Sequence, residues 1–298
     1  MTKYTTRVHP VFGHRVLEPM PTQNELEDFY RNSYYQLIDE GKRAADIARS
    51  RRGGAEAEEQ ATWLRETLHA DIGHAVKKYS SGKKVLEVGC GLGLLLADMR
   101  DQGFEVEGID LGSIAVDEVR KKGFTAYLGS FEELVKTQVI KPETYDAVLF
   151  VNVLEQTFDP VLNLKTAESV LKPGGVAIVR SGNDFNPLQK IFHGEKDSKP
   201  YWVSPPEHIH YLSFNAMEKM LEAAALQPVY RQSDFPMELF LLLGYDYTSD
   251  SRLGAECHSR RVSLERKLPS ELRRDLYSAF AQLELGRCMF VVGQKKAI

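Results

Sequence analysis

The stretch VLEVGCGLG, residues 85–93, decides the fold. An apolar run that carries one acid, Glu87, leads directly into glycines at alternate positions, Gly89, Gly91 and Gly93. Such a run predicts a buried strand followed by a tight turn, because glycine lets the backbone bend sharply and approach a ligand closely. The next residues, LGLLLADMRDQG, predict a helix whose first N–H groups are available to an oxygen-rich ligand. The stretch therefore predicts the first strand–turn–helix unit of a ligand-binding α/β fold.

Apolar strands and helices alternate downstream of this unit. Strands separated by helices of this length predict a parallel, doubly wound sheet with right-handed crossovers. We therefore expect an α/β fold with a mostly parallel, seven-stranded, Rossmann-like sheet, N-terminal helices and a helical insertion before the last strand. The further strands are predicted at FEVEGID (104–110), FTAYLG (124–129), YDAVLFVNV (145–153), VAIVRSG (176–182), QPVYRQSDF (227–235) and GRCMFVVGQKK (286–296).

The chain is predicted to have four segments. The first is a helical cap, in which the capping box TQNE at 22–25 opens one helix that ends near Gly41 and a second helix covers about 55–79. Upstream of them, HPVFGHRVLEP (9–19) stays open between a strand and a lid edge. The insertion, predicted to be helical near 255–283, is either a lid or partner surface, or else extra packing or an oligomer contact. The predicted boundaries are 1–80 for the cap, 81–235 for the core, 236–287 for the insertion and 288–298 for the final strand.

Composition argues against several classes of protein. The 298 residues include 38 Lys and Arg against 42 Asp and Glu, so the charge gives no reason to expect a nucleic-acid partner. The start, MTKYTTRVHP, lacks the apolar segment of a secretory signal, and the longest apolar run, LFLLLG (239–244), is too short to span a membrane. The three cysteines, Cys90, Cys257 and Cys288, form neither a zinc pattern nor a disulfide framework. We expect a cytoplasmic protein.

The glycine pattern distinguishes between two ligands. A dinucleotide fingerprint has the form G-x-G-x-x-G, but here the position of its third glycine is Leu94. Glu87 would repel a pyrophosphate, whereas it would attract a zwitterion that carries an ammonium group. An acid followed by G-x-G-x-G resembles the first motif of class I S-adenosylmethionine (AdoMet)-dependent methyltransferases. A nicotinamide-dependent oxidoreductase is accordingly disfavoured.

Further motifs carry the same resemblance over about residues 80–235. Asp110 ends the second strand, where a carboxylate can accept hydrogen bonds from both ribose hydroxyls. YDAVLFVNVLEQTFDP (145–160) resembles the fourth motif of methyltransferase-11/23-type sequences, and LKPGG (171–175) is another recurring element. The resemblance implies AdoMet as the cofactor, bound by Glu87, Gly89, Cys90, Gly91, Gly93, Asp110, Leu111, Ser130, Phe131, Asn152 and Val153.

Three aromatic side chains have two open interpretations each. Phe131 begins the short helix after the third strand and either stacks on the adenine ring or belongs to the core. Tyr30 and Tyr34 lie on one helix face at i, i+4. Their hydroxyls either bind the carboxylate of AdoMet, as the resemblance suggests, or their rings pack in the core.

The acceptor side offers Asp184, His208 and His210 as candidate general bases. Methyl transfer from a sulfonium needs alignment, and an oxygen or nitrogen nucleophile also needs a proton removed. The two histidines lie in PPEHIHYLS (205–213), which resembles methyltransferase-23-type sequences. In an extended segment they point to opposite sides, so only one is expected to face the site, and each is otherwise a hydrogen-bonded loop residue. The spacing of Glu207 and these histidines is not a metal signature, so no metal is expected.

The predicted function is methyl transfer from AdoMet to a hydroxyl or amine of a small molecule, such as a sugar or natural-product intermediate. The expected partners are the small-molecule acceptor and a second copy bound through the insertion, with no nucleic acid and no membrane. Two alternatives stay open: an RNA or protein methyltransferase, and a catalytically silent AdoMet-binding subunit. The second has some support, because Asn152 and Gln156 occupy positions where the resembling sequences commonly have histidine.

Overall fold

A computed structural model describes residues 4–39, 53–194, 200–206 and 208–297. The predicted end of a helix near Gly41 and the side chain of Glu207 lie outside the described residues.

Within these ranges the strands are β1 Thr5–Val8, β2 Arg15–Glu18, β3 Lys84–Val88, β4 Glu105–Asp110, β5 Thr125–Leu128, β6 Tyr145–Val151, β7 Leu171–Gly182, β8 His210–Tyr211, β9 Leu226–Ser233 and β10 Cys288–Lys295. A seven-stranded sheet has the order β5-β4-β3-β6-β7-β10-β9, and a three-stranded sheet has the order β1-β2-β8. In the larger sheet β10 runs antiparallel to both of its neighbours, and the β5-β4-β3-β6-β7 ladder is parallel. The predicted fold class is confirmed.

Helices cover both faces of the large sheet. Thr22 and Glu25 form the predicted capping box at the first one, and a π-helical turn follows that helix. The α-helices span Gln23–Asp28, Tyr34–Asp39, Ala55–Leu64, Ala70–Tyr79, Leu94–Asp101, Ser113–Lys121, Phe131–Lys136, Pro160–Val170, Pro187–Gly194, Phe214–Ala223, Glu238–Leu242, Ser251–Lys267 and Ser270–Gln282. Among the described helices, none is both long and apolar enough to cross a membrane.

The alternation of side chains along β3 divides the core into two layers. Leu86 and Val88 pack into one apolar cluster, while Val85 packs into the cluster on the opposite face. β6 is buried along almost its whole length, as expected for a central parallel strand that is covered on both faces. The core therefore fixes the positions at which β3 and β6 end. The loops that follow these two strands start from those fixed positions.

The N-terminal segment differs from the predicted helical cap. β1 and β2 form an antiparallel hairpin, and β2 also pairs with β8, with Arg15 opposite Tyr211 and Val16 opposite His210. Tertiary pairing gives the reason, because β2 adds to β8, a strand nearly two hundred residues away in the sequence, and Val16 and Leu17 are buried there. The prediction of a helical cap for residues 1–80 is therefore wrong for β1, whereas β2 lies in residues 9–19, the segment left open between a strand and a lid edge.

Three helices lie between β9 and β10, where the insertion is predicted. A buried ion pair between Arg273 Nη2 and Asp71 Oδ1, at 3.0 Å, ties the last of them to the helix before β3. Arg261 on the middle helix likewise binds Asp234 at 3.0 Å. Because these charged groups are paired and hydrogen-bonded, they tolerate burial and hold the helices against the sheet.

Candidate active site

The glycine loop after β3 is tied to the strand beside it. The N–H groups of Gly89 and Cys90 both donate to the carbonyl oxygen of Ile109, at 2.8 and 2.9 Å. Gly89 has a φ of 71°, a conformation that favours glycine. A Cβ atom on Gly89 would lie 2.6 Å from Cγ2 of Val153, so the loop approaches the segment after β6 too closely for any side chain.

Asp110 stands at the end of β4 with both carboxylate oxygens already oriented. Oδ2 accepts a hydrogen bond from the N–H of Gly91 at 2.9 Å, and Oδ1 accepts one from the N–H of Gly112 at 2.8 Å. A carboxylate oxygen has a second lone pair, so each can accept one more hydrogen bond. The carboxylate is thus held in a fixed orientation by the backbone of the two loops.

A cleft of about 710 Å³ opens at the carboxyl ends of β3, β4, β6 and β7. This is the edge of an open parallel sheet at which ligands bind, and the volume suits a small-molecule site. The cleft brings together most of the residues predicted from the sequence. Those that line it are Tyr30, Tyr34, Gly89, Gly91, Asp110, Leu111, Ser130, Phe131, Asn152, Val153, Asp184 and His208.

Four predicted residues do not line the cleft: Glu87, Cys90, Gly93 and His210. The thiol of Cys90 packs over the backbone of Gly108, where a Cβ atom would lie 2.6 Å from Sγ. Gly93 is the left-handed N-cap of the helix that follows the loop. Both residues therefore set the conformation of the loop and do not face the cleft.

Glu87 is buried beneath the loop. Its Oε2 atom has no hydrogen-bond partner among the described residues. Burial, with a smaller contribution from the negative charge of Asp110, raises the pKa of Glu87 well above its usual range. A cation brought close to Glu87 would therefore favour its ionised form.

Phe131, Tyr30 and Tyr34 each pack against another aromatic ring and also line the cleft. Phe131 is almost fully buried and contacts Phe150 edge to face, yet part of it borders the cleft. Tyr30 and Tyr34 have ring centroids 5.1 Å apart and lie over the cleft as one pair. Ser130 caps its helix, since its hydroxyl accepts a hydrogen bond from the N–H of Glu133.

Asp184 lies two residues beyond β7 and faces the same cleft. Its side chain is buried, and no hydrogen bond to its carboxyl group is found among the described residues. Burial raises the pKa of Asp184 to about 7, although the guanidinium of Arg287 opposes the shift. A carboxyl group with a pKa near neutrality can take up a proton during a reaction at that pH.

The two histidines separate as expected for neighbours in an extended segment. His208 lines the cleft. His210 is buried in β8, where its Nδ1 atom lies 2.9 Å from Nε2 of His14 and its Nε2 atom lies 3.4 Å from the carbonyl oxygen of Phe158. Burial lowers the pKa of His210 to about 4. His210 therefore holds the small sheet, and His208 is the histidine that can reach a ligand.

Among the cleft-lining residues that sequence reasoning did not assign to the site are Arg180, Trp202 and Arg287. Arg180 donates a hydrogen bond to Oδ1 of Asn152, a residue with a positive φ of 56°. The sequence does point to Arg180, because burying a charged residue near the carboxyl end of a strand costs free energy unless a partner or ligand binds the charge. Trp202 and Arg287 reach the cleft only through long-range packing, so no local pattern could have found them.

Residues 60–230 match the profile of a family described as a methyltransferase domain. The chain is 31% identical over 153 residues to a ubiquinone biosynthesis O-methyltransferase of Aliivibrio fischeri, covering 49% of this chain and 64% of the relative. It is 29% identical over 151 residues to the protein of that name in Vibrio cholerae, covering 49% and 62%. The chain thus spans slightly less than two thirds of the length of these curated relatives.

Solved structures share the fold. A SAM-dependent methyltransferase from Archaeoglobus fulgidus superposes with a TM-score of 0.53 at 17% identity, covering 88% of this chain and all of that one, 100%. The 1,6-didemethyltoxoflavin-N1-methyltransferase of Burkholderia thailandensis gives a TM-score of 0.54 at 13% identity, covering 99% and 97%. Since the family profile matches more than half of the chain, this protein belongs to the methyltransferase-domain family, in agreement with its resemblance to class I AdoMet-dependent methyltransferases.

Proposed function

We propose that this protein transfers a methyl group from AdoMet to a hydroxyl group of a small molecule, with Asp184 as the general base. The observation that carries the proposal is the position of Asp184. This buried carboxyl group, with its pKa raised to about 7, faces the cleft that is also lined by the glycine loop and Asp110.

The residues around the glycine loop fit AdoMet. Asp110 has both oxygens fixed by backbone N–H groups and can still accept the two ribose hydroxyls. Glu87 lies beneath the loop and not on the cleft, so its unpartnered Oε2 atom would act on the ammonium group through water, and the nearby cation would favour its ionised form. The hydroxyls of Tyr30 and Tyr34 are suited to the carboxylate. When bound, AdoMet supplies a methyl group on a positively charged sulfur, an excellent leaving group.

The protein's own contribution is alignment, exclusion of water and removal of one proton. The acceptor hydroxyl would lie between Asp184 and the methyl group, in line with the carbon–sulfur bond. As the oxygen–carbon bond formed and the carbon–sulfur bond broke, S-adenosylhomocysteine would leave and Asp184 would take the hydroxyl proton; His208 is the second group on the cleft able to accept one. A nearby sulfonium would also lower the pKa of Asp184 and keep it ionised.

The choice of a hydroxyl over an amine is supported by the curated relatives, which are named O-methyltransferases. A sugar or natural-product acceptor, a cytoplasmic location and a homodimer formed through residues 236–287 stay predictions. The roles of Cys90 and Gly93 in this proposal are limited to shaping the loop.

The test incubates the purified protein with methyl-labelled AdoMet and an extract of host cells, then separates small molecules, lipids, proteins and nucleic acids. We expect label in the small-molecule fraction. Asp184→Asn should reduce the rate by about 10²-fold or more, because the amide cannot accept the proton. Asp101→Asn, a change at an exposed carboxylate outside the cleft, should leave the rate unchanged.

Other outcomes would reject specific parts of the proposal. Label in protein or RNA would identify a macromolecular acceptor. AdoMet that binds without any transfer would favour a silent subunit. A rate that is unaffected by Asp184→Asn would remove Asp184 as the base and direct attention to His208.

A further inference from the structure

We propose that the acceptor carries a carboxylate group, which Arg287 and Trp202 bind at the end of the cleft away from the glycine loop. This inference rests on the proposed methyl transfer and adds the chemical class of the acceptor.

The guanidinium group of Arg287 is the first observation. It lines the cleft, yet within the described ranges it donates no side-chain hydrogen bond, and its Nη1 atom is fully buried without a partner. The recorded ion pair, Nη1 to Oε1 of Glu238, spans 3.8 Å and is too long for a hydrogen bond. Buried donors without partners are rare in folded proteins, so this one calls for an acceptor that arrives with a ligand.

Trp202 provides an independent donor on the same cleft. Its side chain is 4% exposed, and its Nε1 atom also lacks a hydrogen-bond partner in the described part of the chain. Edge-to-face contacts with Phe185 at 5.3 Å and Tyr201 at 5.1 Å fix the indole ring. The indole N–H can only donate, so its partner must be an acceptor. Arg287 packs over the ring of Tyr201 at 5.5 Å, which brings the two donors to one wall.

The strand order separates these donors from the cofactor side. Arg287 immediately precedes β10, and Cys288 at the start of β10 pairs with Gly182 at the end of β7. From β3 to β10 there are three steps across the sheet, or roughly 14 Å at the usual strand spacing. Asp184 follows β7, which lies between β3 and β10 in the sheet. Arg287 is therefore placed to hold the far part of an acceptor whose hydroxyl lies near Asp184.

Asp184 and Glu238 both place carboxyl groups near Arg287, yet within the described ranges neither accepts a hydrogen bond from its guanidinium group, so N–H groups remain for an anion. Arg180, the other arginine on the cleft, is already engaged by Asn152. Glu238 is buried and shares its Oε1 atom with donors from Gln189 at 3.1 Å and Tyr201 at 3.0 Å. A planar guanidinium with unused N–H groups matches the geometry of a carboxylate, which can accept two parallel hydrogen bonds.

The test measures binding of benzoate and benzamide, two probes of the same shape that differ in charge. Each is titrated by calorimetry or ligand-observed NMR into the protein, both alone and saturated with S-adenosylhomocysteine. We expect benzoate to bind about tenfold more tightly than benzamide, since charge-assisted bidentate hydrogen bonds are stronger than neutral ones.

Matched variants test whether Arg287 and Trp202 cause the preference for benzoate over benzamide. Arg287→Gln should abolish the difference between the probes, Arg287→Lys should retain part of it, and Trp202→Phe should weaken benzoate binding while keeping the ring packing. Arg231→Gln is the control, because Arg231 pairs with Glu218 outside the cleft. Affinity for S-adenosylhomocysteine reports that each variant is folded.

Equal binding of the two probes to the native protein, absent binding of benzoate, or a preference that survives Arg287→Gln would overturn the inference. Failure of S-adenosylhomocysteine to bind would count against the proposed function instead. The titrations without the nucleoside would still decide whether Arg287 forms an anion site.

Discussion

Gly91 donates its backbone N–H to Oδ2 of Asp110 at 2.9 Å, so the glycine loop after β3 fixes the acid that ends β4. The glycine loop and the proposed ribose-binding acid are thus parts of one arrangement. A change in the loop backbone would move the carboxylate, and a change at the carboxylate would release the loop.

Gly89→Ala should destabilise the protein by about 2–4 kcal/mol. The left-handed backbone costs about 1–2 kcal/mol for alanine, and the new methyl group would meet Val153 at 2.6 Å. Gly103→Ala is the matched control, since Gly103 also has a positive φ, 90°, but has open space around it. Urea unfolding of both variants should show a clearly larger loss for Gly89→Ala, and equal losses would mean that the loop relaxes away from Val153.

Asp184 should make stability depend on pH. Its pKa in the folded protein, about 7, lies above the usual value of 3.8, so the folded state retains a proton that the unfolded chain releases. Stability from this group is therefore complete below about pH 4 and is lost as the pH rises to about 7, at up to about 1.4 kcal/mol per pH unit. Asp184→Asn should remove that decline in unfolding measurements between pH 4 and 8. A variant with the same pH slope as the native protein would contradict the raised pKa.

The pair of His14 and His210 should make the protein less stable as the pH is lowered. Burial and mutual repulsion lower the pKa of His14 to about 3, and burial lowers that of His210 to about 4. The unfolded chain therefore binds protons below about pH 6.5 that the folded protein does not, and stability falls as the pH drops from 6.5 towards 4. His14→Gln can still donate to His210 but does not titrate, so its unfolding free energy should fall less steeply over this range. An unchanged acid slope would show that His14 is protonated in the folded protein.

The sequence predicts the regular part of the molecule because the determining interactions are local. The alternation of apolar strands and helices, the glycines at 89, 91 and 93, and the acid at 110 all identify their structural roles by spacing. The capping box at Thr22 is likewise decided within four residues.

The parts that were missed depend on contacts between distant segments. β2 forms because it pairs with β8, and the apolar pattern of residues 15–18 alone does not distinguish that outcome from a short turn. Arg287 and Trp202 come from segments some eighty residues apart, and only the packing around Tyr201 brings them to one wall. His208 and His210 could be separated in principle but not assigned, because the side facing the cleft is set by the pairing of β8.

The most direct test of the central claim is calorimetric titration of AdoMet into the native protein and into Asp110→Asn, with Asp101→Asn as the control outside the cleft. We predict one AdoMet bound per native chain, an unchanged affinity for Asp101→Asn, and an affinity at least about tenfold weaker for Asp110→Asn, because an amide can accept from only one of the two ribose hydroxyls. No binding to the native protein, or equal affinity for Asp110→Asn, would contradict the assignment of this cleft as the AdoMet site.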